Sequence, residues 1–387
     1  MSFGFTLAKA VSALSTQVLR HVFRRPAGNF PGKIALYLDK NLLAHLRDRM
    51  EQGSILVVGT NGKTSTTLML DYLLDISGKK VCCNKTGANL DSGVATALLQ
   101  IPKNESGKRV ADWGVFECDE MWLVRILPQL QSKYVVLTNL FVDQTDRFGD
   151  ISNIRKSIVS ALKQSPQTTL IYNADDPNSH GIADAVDNPK IAFGVEKRCD
   201  ADEPQAFKQA CPRCGKQLEY SMVQYEQIGK YACSCGFASP ACDYKVTNPR
   251  VSDTEVSFHL STEHWKLAFW APHGALYMIY NMGLFATVGL VIGCDKEAID
   301  KTMKDFDAHN GRAQRAQVGN HPVFINLTKN IAGLNQNIDL VCKSEGRYLK
   351  ETGSSDAVVA VFINNKEGDG FDASWVDSVA FEKLAPF

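Results

Sequence analysis

SILVVGTNGKTSTTLMLDYLLDIS, residues 54–77, reads as a strand, a glycine loop and a helix in immediate succession. Ile55 to Val58 is an unbroken apolar run, and Gly59-Thr60-Asn61-Gly62-Lys63-Thr64-Ser65 separates it from the helical stretch. That context identifies a phosphate loop. The glycines let backbone N–H groups curl around phosphate oxygens, and the helix N-terminus adds positive potential. Lys63 is the cation expected at the β- and γ-phosphates of ATP, and the Thr64 hydroxyl is an expected Mg2+ ligand. Thr60, Asn61, Gly62 and Ser65 complete the predicted cradle. The loop is a short form: Val57 stands where the general GxxxxGK[ST] pattern has its first glycine, and Gly59 comes two residues later.

Working outward, apolar runs recur at 111–118 (ADWGVFEC), 133–140 (KYVVLTNL) and 168–174 (TTLIYNA), with helical stretches such as 152–164 between them. Strands alternating with helices predict a parallel sheet with both faces covered. The pattern stops near Arg198. Cys211 and Cys214 (CPRCG) and Cys233 and Cys235 (CSCGF) follow, with 18 residues between the pairs. That spacing predicts a Zn2+ ribbon. Alternating strands (KVTNP, EVSFHLS, WKLAFWA) and a long apolar helix around Met278 to Gly293 come next, so the ribbon reads as inserted into the α/β domain. The expected organisation is an N-terminal helical segment over 1–45 and a central ATP-binding domain over 46–300 with the ribbon at 205–245. A smaller α/β unit over 301–387 has strands at PVFINL and AVVAVFIN (357–364), and is expected to be cut short.

The 387 residues carry 42 basic and 42 acidic side chains, so no global field draws the chain to nucleic acid or a membrane. Within 205–245, Lys208, Arg213, Lys216, Lys230 and Lys245 face Glu219, Glu226 and Asp243, too weak an excess for a surface that tracks phosphates. An odd count of eleven cysteines argues against full disulfide pairing and fits a reducing compartment. Leu7, Val11, Leu14, Val18 and Val22 recur at helical spacing, predicting an amphipathic N-terminal helix packed on the body or on a partner, with an interfacial membrane helix as the other reading. No transmembrane span is expected.

The GTNGKTS loop resembles that of the Mur ligase family, whose members activate a carboxylate as an acyl phosphate and trap it with an amine. The resemblance implies a Mur-type parallel-sheet phosphate-loop domain, with Glu117 at the end of VFECDE as a second Mg2+ anchor. It also implies that Asn173 and Asp175 of NADDP lie near the adenine. VFECDE, TNLFVDQTDRFGD (138–150), NADDP, the cysteine pairs, NGR (310–312), NLTKNIAG (326–333) and DGFDASW (369–375) occur in this order. Together they resemble the MurT group, the ligase subunits of lipid II isoglutaminyl synthases, from about Phe30 to Leu384. That resemblance implies amidation of the D-glutamate α-carboxylate of lipid II in peptidoglycan synthesis, using ammonia from a glutaminase partner, GatD. Work at the inner face of the plasma membrane follows.

By position, Arg312 would reach the γ-phosphate, Lys329 would sit near the acyl phosphate, and Asp372 would complete the partner's Cys-His pair. None of the eleven cysteines has the strand-to-helix setting of a glutaminase nucleophile, which fits an outside ammonia source. Val142, Met278, Thr328, Ile331 and the placement of Asp377 depart from the group's pattern. Two other readings share the ATP site: a folylpolyglutamate-like ligase, which should lack the ribbon, and a non-catalytic ATP-binding docking protein.

Overall fold

The computed structural model describes residues 3–17, 28–85, 87–141, 151–199, 208–306, 314–352, 358–363 and 374–385. Its centre is a nine-stranded sheet in the order β2-β3-β1-β4-β5-β6-β9-β10-β11. These are β1 Ser54–Val58, β2 Val81–Cys83, β3 Trp113–Glu117, β4 Tyr134–Leu137, β5 Thr169–Asn173, β6 Lys190–Val195, β9 Tyr244–Val251, β10 Val256–Ser261 and β11 Lys266–Ala271. All neighbours up to β9 run parallel, and β10 is antiparallel to both β9 and β11. The parallel part is thus as expected from the sequence, and the later strands extend the same sheet.

The alternation along β1 shows why its sequence is apolar throughout. Ile55 and Val57 face one core and Leu56 and Val58 the other, all fully buried. Eleven helices are described: α1 Phe3–Gln17, α2 Phe30–Leu38, α3 Leu42–Leu46, α4 Lys63–Ile76, α5 Asp91–Leu99, α6 Leu123–Leu130, α7 Ile151–Lys163, α8 Pro177–Asp184, α9 Leu276–Val291, α10 Lys296–Asp305 and α11 Ile331–Thr352. Helices α4, α9 and α10 pack on the first face; α2, α5, α6, α7 and α8 contribute to the second. Helix α9 is apolar around its whole circumference because α4, α10 and the sheet surround it.

The chain leaves the sheet after β6 and returns at β9, which pairs directly with β6 through Phe193↔Tyr244, Gly194↔Lys245 and Val195↔Val246. The excursion carries the cysteine pairs and a hairpin, β7 Glu219–Tyr225 with β8 Ile228–Ala232. The ribbon is therefore an insertion, as its position in the sequence predicts.

Helix α1 packs on α2 and α5 through Phe5, Ala8 and Ser12, while Leu7 and Leu14 are 39% and 62% exposed. Both stripes have helical spacing, and tertiary packing chose the one that reads as less apolar. In the C-terminal unit, β12 Gln314–Val318 and β13 His321–Ile325 form a hairpin, but 358–363 is not a strand. The run is rich in valine, yet among the described residues no strand pairs with it to take its backbone hydrogen bonds. No helix among the described residues is long and apolar enough to cross a membrane.

Candidate active site

The phosphate loop joins the C-terminal end of β1 to α4, at the switch between β3 on one side and β4 on the other. Its shape is fixed from behind by Thr138-Asn139-Leu140-Phe141, which follow β4. Thr60 N donates to Asn139 O (2.8 Å), Asn61 N to Asn139 Oδ1 (2.9 Å), and Thr138 Oγ1 to Asn61 O (2.7 Å). Phe141 N in turn donates to Thr60 Oγ1 (3.0 Å).

Both loop glycines are obligatory. Gly59 has φ of +126° and a Cβ there would collide with the Thr138 hydroxyl and the Asn139 backbone. Gly62, at φ +86°, caps α4, and its Cβ would lie 2.5 Å from Asn281 Oδ1 on α9.

Lys63 donates to Glu120 Oε1 (2.9 Å), to Thr60 O (3.2 Å) and to Gly59 O. Burial opposes its charge, but Glu120, Glu117 and Asp119 outweigh that cost and raise its pKa. Glu117 ends β3 and is held from the neighbouring loop by Asn84. The Asn84 amide accepts from Glu117 N (2.9 Å) and donates to Glu117 O and Ala88 O (both 2.8 Å). Glu120 contacts the Lys63 cation directly, and the charges of Glu117 and Asp119 act on it too, beside a loop built for anions. This is where a divalent ion would be held together with phosphate oxygens.

A cavity of about 210 Å³ opens over the loop. Thr60, Asn61, Gly62, Lys63, Thr64 and Ser65 line it, and so do Glu117 and Lys329, so the structure brings these predicted residues together. The C-terminal unit forms its far wall. Asn330 exchanges amide hydrogen bonds with Asn61 (3.0 and 3.4 Å) and receives Gly333 N on the same side chain (2.8 Å). Met278 and Thr328 also line the cavity, and Ile331 opens α11. Arg312, Asp372 and Val142 lie outside the described residues.

Asn173 and Asp175 lie behind this cavity and do not line it. Asp175 is fully buried, with its carboxylate committed to Lys230 Nζ, Val195 N (2.7 Å) and Tyr280 Oη (2.9 Å). Asp176 caps α8 through Asn178 N and Ser179 N and also accepts from Leu140 N. The NADDP segment thereby fastens the insert to the body. Sequence reasoning missed Glu120, Asn84, Asn139, Asn281 and Asn330. Glu120 sits in the same VFECDE run as Glu117, and Asn139 and Asn330 sit in the TNLFVDQ and NLTKN runs, so these three carried a signal; Asn84 and Asn281 arrive by tertiary adjacency.

The four cysteines of the insert converge. Their sulfurs all lie within 4.8 Å of one another, with Cys211 and Cys235 3.7 Å apart and Cys214 and Cys233 3.5 Å apart. A tetrahedral ion with sulfur ligands at about 2.3 Å has sulfur–sulfur edges of about 3.8 Å, so the set fits Zn2+. Gly215 and Gly236 close the two knuckles in the left-handed region, although the second has one residue between its cysteines rather than two. The insert's own core is small, with only Cys211, Leu218, Tyr231 and Phe237 buried in it. A metal staple suits such a module. No cysteine forms a disulfide.

The model of the Mur ligase middle domain matches residues 57–266. The MurT subunit of lipid II isoglutaminyl synthase (glutamine-hydrolyzing) from Streptococcus pneumoniae is 30% identical over 390 residues, covering 99% of this chain and 82% of that protein. Its counterpart from Staphylococcus aureus is 28% identical over 377 residues, covering 97% and 81%. Among solved structures, a pseudomurein peptide ligase type C from Methanothermus fervidus superposes with a TM-score of 0.63 at 22% identity. That match covers 76% of this chain and 57% of the other. The middle-domain match takes in the phosphate loop, Glu117 and the cysteine insert, and the S. pneumoniae similarity runs through both flanking units: the chain belongs to the Mur ligase family, in its MurT branch.

Proposed function

We propose that this chain is the ATP-dependent ligase subunit of a lipid II isoglutaminyl synthase, converting the D-glutamate α-carboxylate of lipid II to D-isoglutamine. The observation that carries the reading is one cavity holding the phosphate loop, the carboxylates beside Lys63, and Lys329 on the facing unit. A carboxylate oxygen of the substrate attacks the γ-phosphorus of ATP, and ADP leaves. Ammonia then attacks the acyl carbon and loses a proton, the amide forms, and phosphate leaves.

Lys63 draws the β/γ-oxygens into line, and Lys329 faces the transferring group from the other wall, where fixed positive charge favours the transition state. Thr64 and Glu117 would hold Mg2+, which supplies charge neutralisation between the phosphate oxygens when bound. Arg312 would add a further cation at the γ-phosphate. Cys211, Cys214, Cys233 and Cys235 would hold one structural Zn2+. Ammonia comes from a glutaminase partner of the GatD type, whose Cys-His pair Asp372 would orient. The complex works on lipid II at the inner face of the plasma membrane.

The basic residues of the insert fit a module that faces the body rather than a nucleic acid: Arg213 forks onto Asp184, and Lys230 is bound to Asp175. Co-expression with the candidate glutaminase, followed by mass analysis of lipid II after adding ATP and glutamine, tests the proposal. Exchange of an acid hydroxyl for an amino group is expected. Unchanged lipid II from an assembled, ATP-hydrolysing complex overturns the substrate assignment.

A further inference from the structure

The hairpin of the cysteine insert does not end in solvent. Its tip, Tyr225-Glu226-Gln227-Ile228, is driven into the body, where Tyr225 and Ile228 belong to the same core as β1, α4 and α9. Tyr225 is only 6% exposed, and what remains of its surface lines the cavity over the phosphate loop. Its ring lies 5.9 Å from Phe141 at 32° and 5.7 Å from Tyr280 at 76°. Phe141 is the residue whose N–H holds Thr60, so the tyrosine stands one ring away from the start of the phosphate loop.

The tip is fixed in place on several sides. Gln227 Nε2 donates to Leu140 O (2.9 Å), Gly229 N donates to Asp175 O (2.9 Å), and Lys230 reaches the Asp175 carboxylate. Tyr231 Oη donates to Ala174 O (3.1 Å). Glu226 adopts φ of +47°, a conformation that favours glycine, and its carboxylate accepts from Asn335 on α11 at 3.4 Å. A non-glycine residue held there marks a turn whose shape the surroundings impose.

We infer that the cysteine insert forms a wall of the nucleotide cavity, and that Tyr225 is the ring against which the base of the bound nucleotide packs. A purine needs an apolar face, and Tyr225, with Met278 and Phe306, provides one in the same cavity that the phosphate loop lines. The cysteine cluster, and the metal it would hold, then act on the nucleotide site at a distance. The cluster holds the root of the hairpin while Asp175, Gln227 and Tyr231 hold the stem, and together they set where the ring stands. This inference rests on the proposed use of ATP.

The test is equilibrium binding of Mg-ADP, and separately of inorganic tripolyphosphate, to the full chain. Tyr225→Ala should weaken ADP on the order of tenfold, as loss of one base–aromatic stack does, and leave tripolyphosphate unchanged. Tyr225→Phe should bind both like the parent. Cys214→Ser should reproduce the selective loss of ADP affinity, because the hairpin loses its anchor. Tyr225→Ala binding ADP as the parent does, or losing ADP and tripolyphosphate equally, overturns the assignment and leaves the ligase reading standing. A parent chain that binds neither probe sinks both.

Discussion

Lys63 Nζ and Glu120 Oε1 stand 2.9 Å apart at the mouth of the phosphate loop, with 14% and 10% of their side chains exposed. The lysine of the glycine loop is thus paired with a carboxylate in this structure. A phosphate group bound at the loop would have to share or replace that partner.

Replacing Lys63 by alanine removes the charge facing the β/γ-phosphates. Turnover in ATP-dependent amidation should fall on the order of 100-fold or more, as for other groups that stabilise a transferring charge. The chain should stay folded, since the loop lies at the surface end of the sheet, and a thermal melt would check this. Near-parental amidation by Lys63→Ala would falsify the phosphate-loop assignment.

Asn84 should matter without touching substrate. In Asn84→Ala the N–H and C=O of Glu117 lose their buried partners, at about 1–3 kcal/mol for each unsatisfied group. A lower melting point together with a weaker response of amidation to Mg2+ is expected. Parental Mg2+ dependence in a destabilised variant would make Asn84 a packing residue only.

Metal analysis of protein purified without added zinc should find about one equivalent per chain, as a closed four-sulfur site implies. Cys214→Ser should release it and lower the melting temperature of the insert. Protein that is free of metal and melts like the parent contradicts the assignment.

Asp372→Asn separates the two half-reactions. If the carboxylate orients a histidine of the glutaminase, glutamine-dependent amidation should drop by about 10⁴-fold, as in comparable triads. Amidation driven by ammonium and ATP should persist. Equal loss of both, in an assembled complex, places the aspartate in the ligase site instead.

His180 couples the docking of the insert to pH. Its ring stacks on Phe237 at 4.5 Å and its Nδ1 lies 3.0 Å from Tyr231 Oη. Burial pulls the imidazole down to about 4, with Asp184 opposing and Arg213 and Lys190 assisting. An unfolded histidine titrates near 6.5, so between these values the unfolded chain binds a proton that the folded chain excludes. Stability should therefore fall as pH drops through that window. Melts between about pH 7 and pH 5 should show a shallower loss in His180→Gln than in the parent. Parallel curves would assign the acid sensitivity to other groups, the cysteine cluster among them.

The sequence made the phosphate loop and the cysteine cluster legible because each packs its chemistry into a few adjacent residues. Buried parallel strands were legible for the same reason, as runs of four or five apolar side chains. What stayed hidden depends on which parts of the chain meet. Nothing near Asn330 announces that it pairs with Asn61, 269 residues away. Asp175 reads, by resemblance, as a residue near the adenine, and nothing in the sequence announces that Lys230 and Tyr280 arrive from two other elements to hold its carboxylate. Val358 and Phe362 have strand chemistry, yet among the described residues no strand pairs with their run, and both are more than nine-tenths exposed.

The pairing of β6 with β9 has a topological consequence. Antiparallel neighbours can be joined by two residues, but parallel neighbours cannot; the chain must travel back along the full strand, which takes a dozen residues or so and is usually done by a helix. Between β4 and β5 the return is made by α7, and between β5 and β6 by α8. Between β6 and β9 it is made by the cysteine module. Excising that module down to a tight turn would break the sheet, so it can be exchanged only for another return path of similar reach.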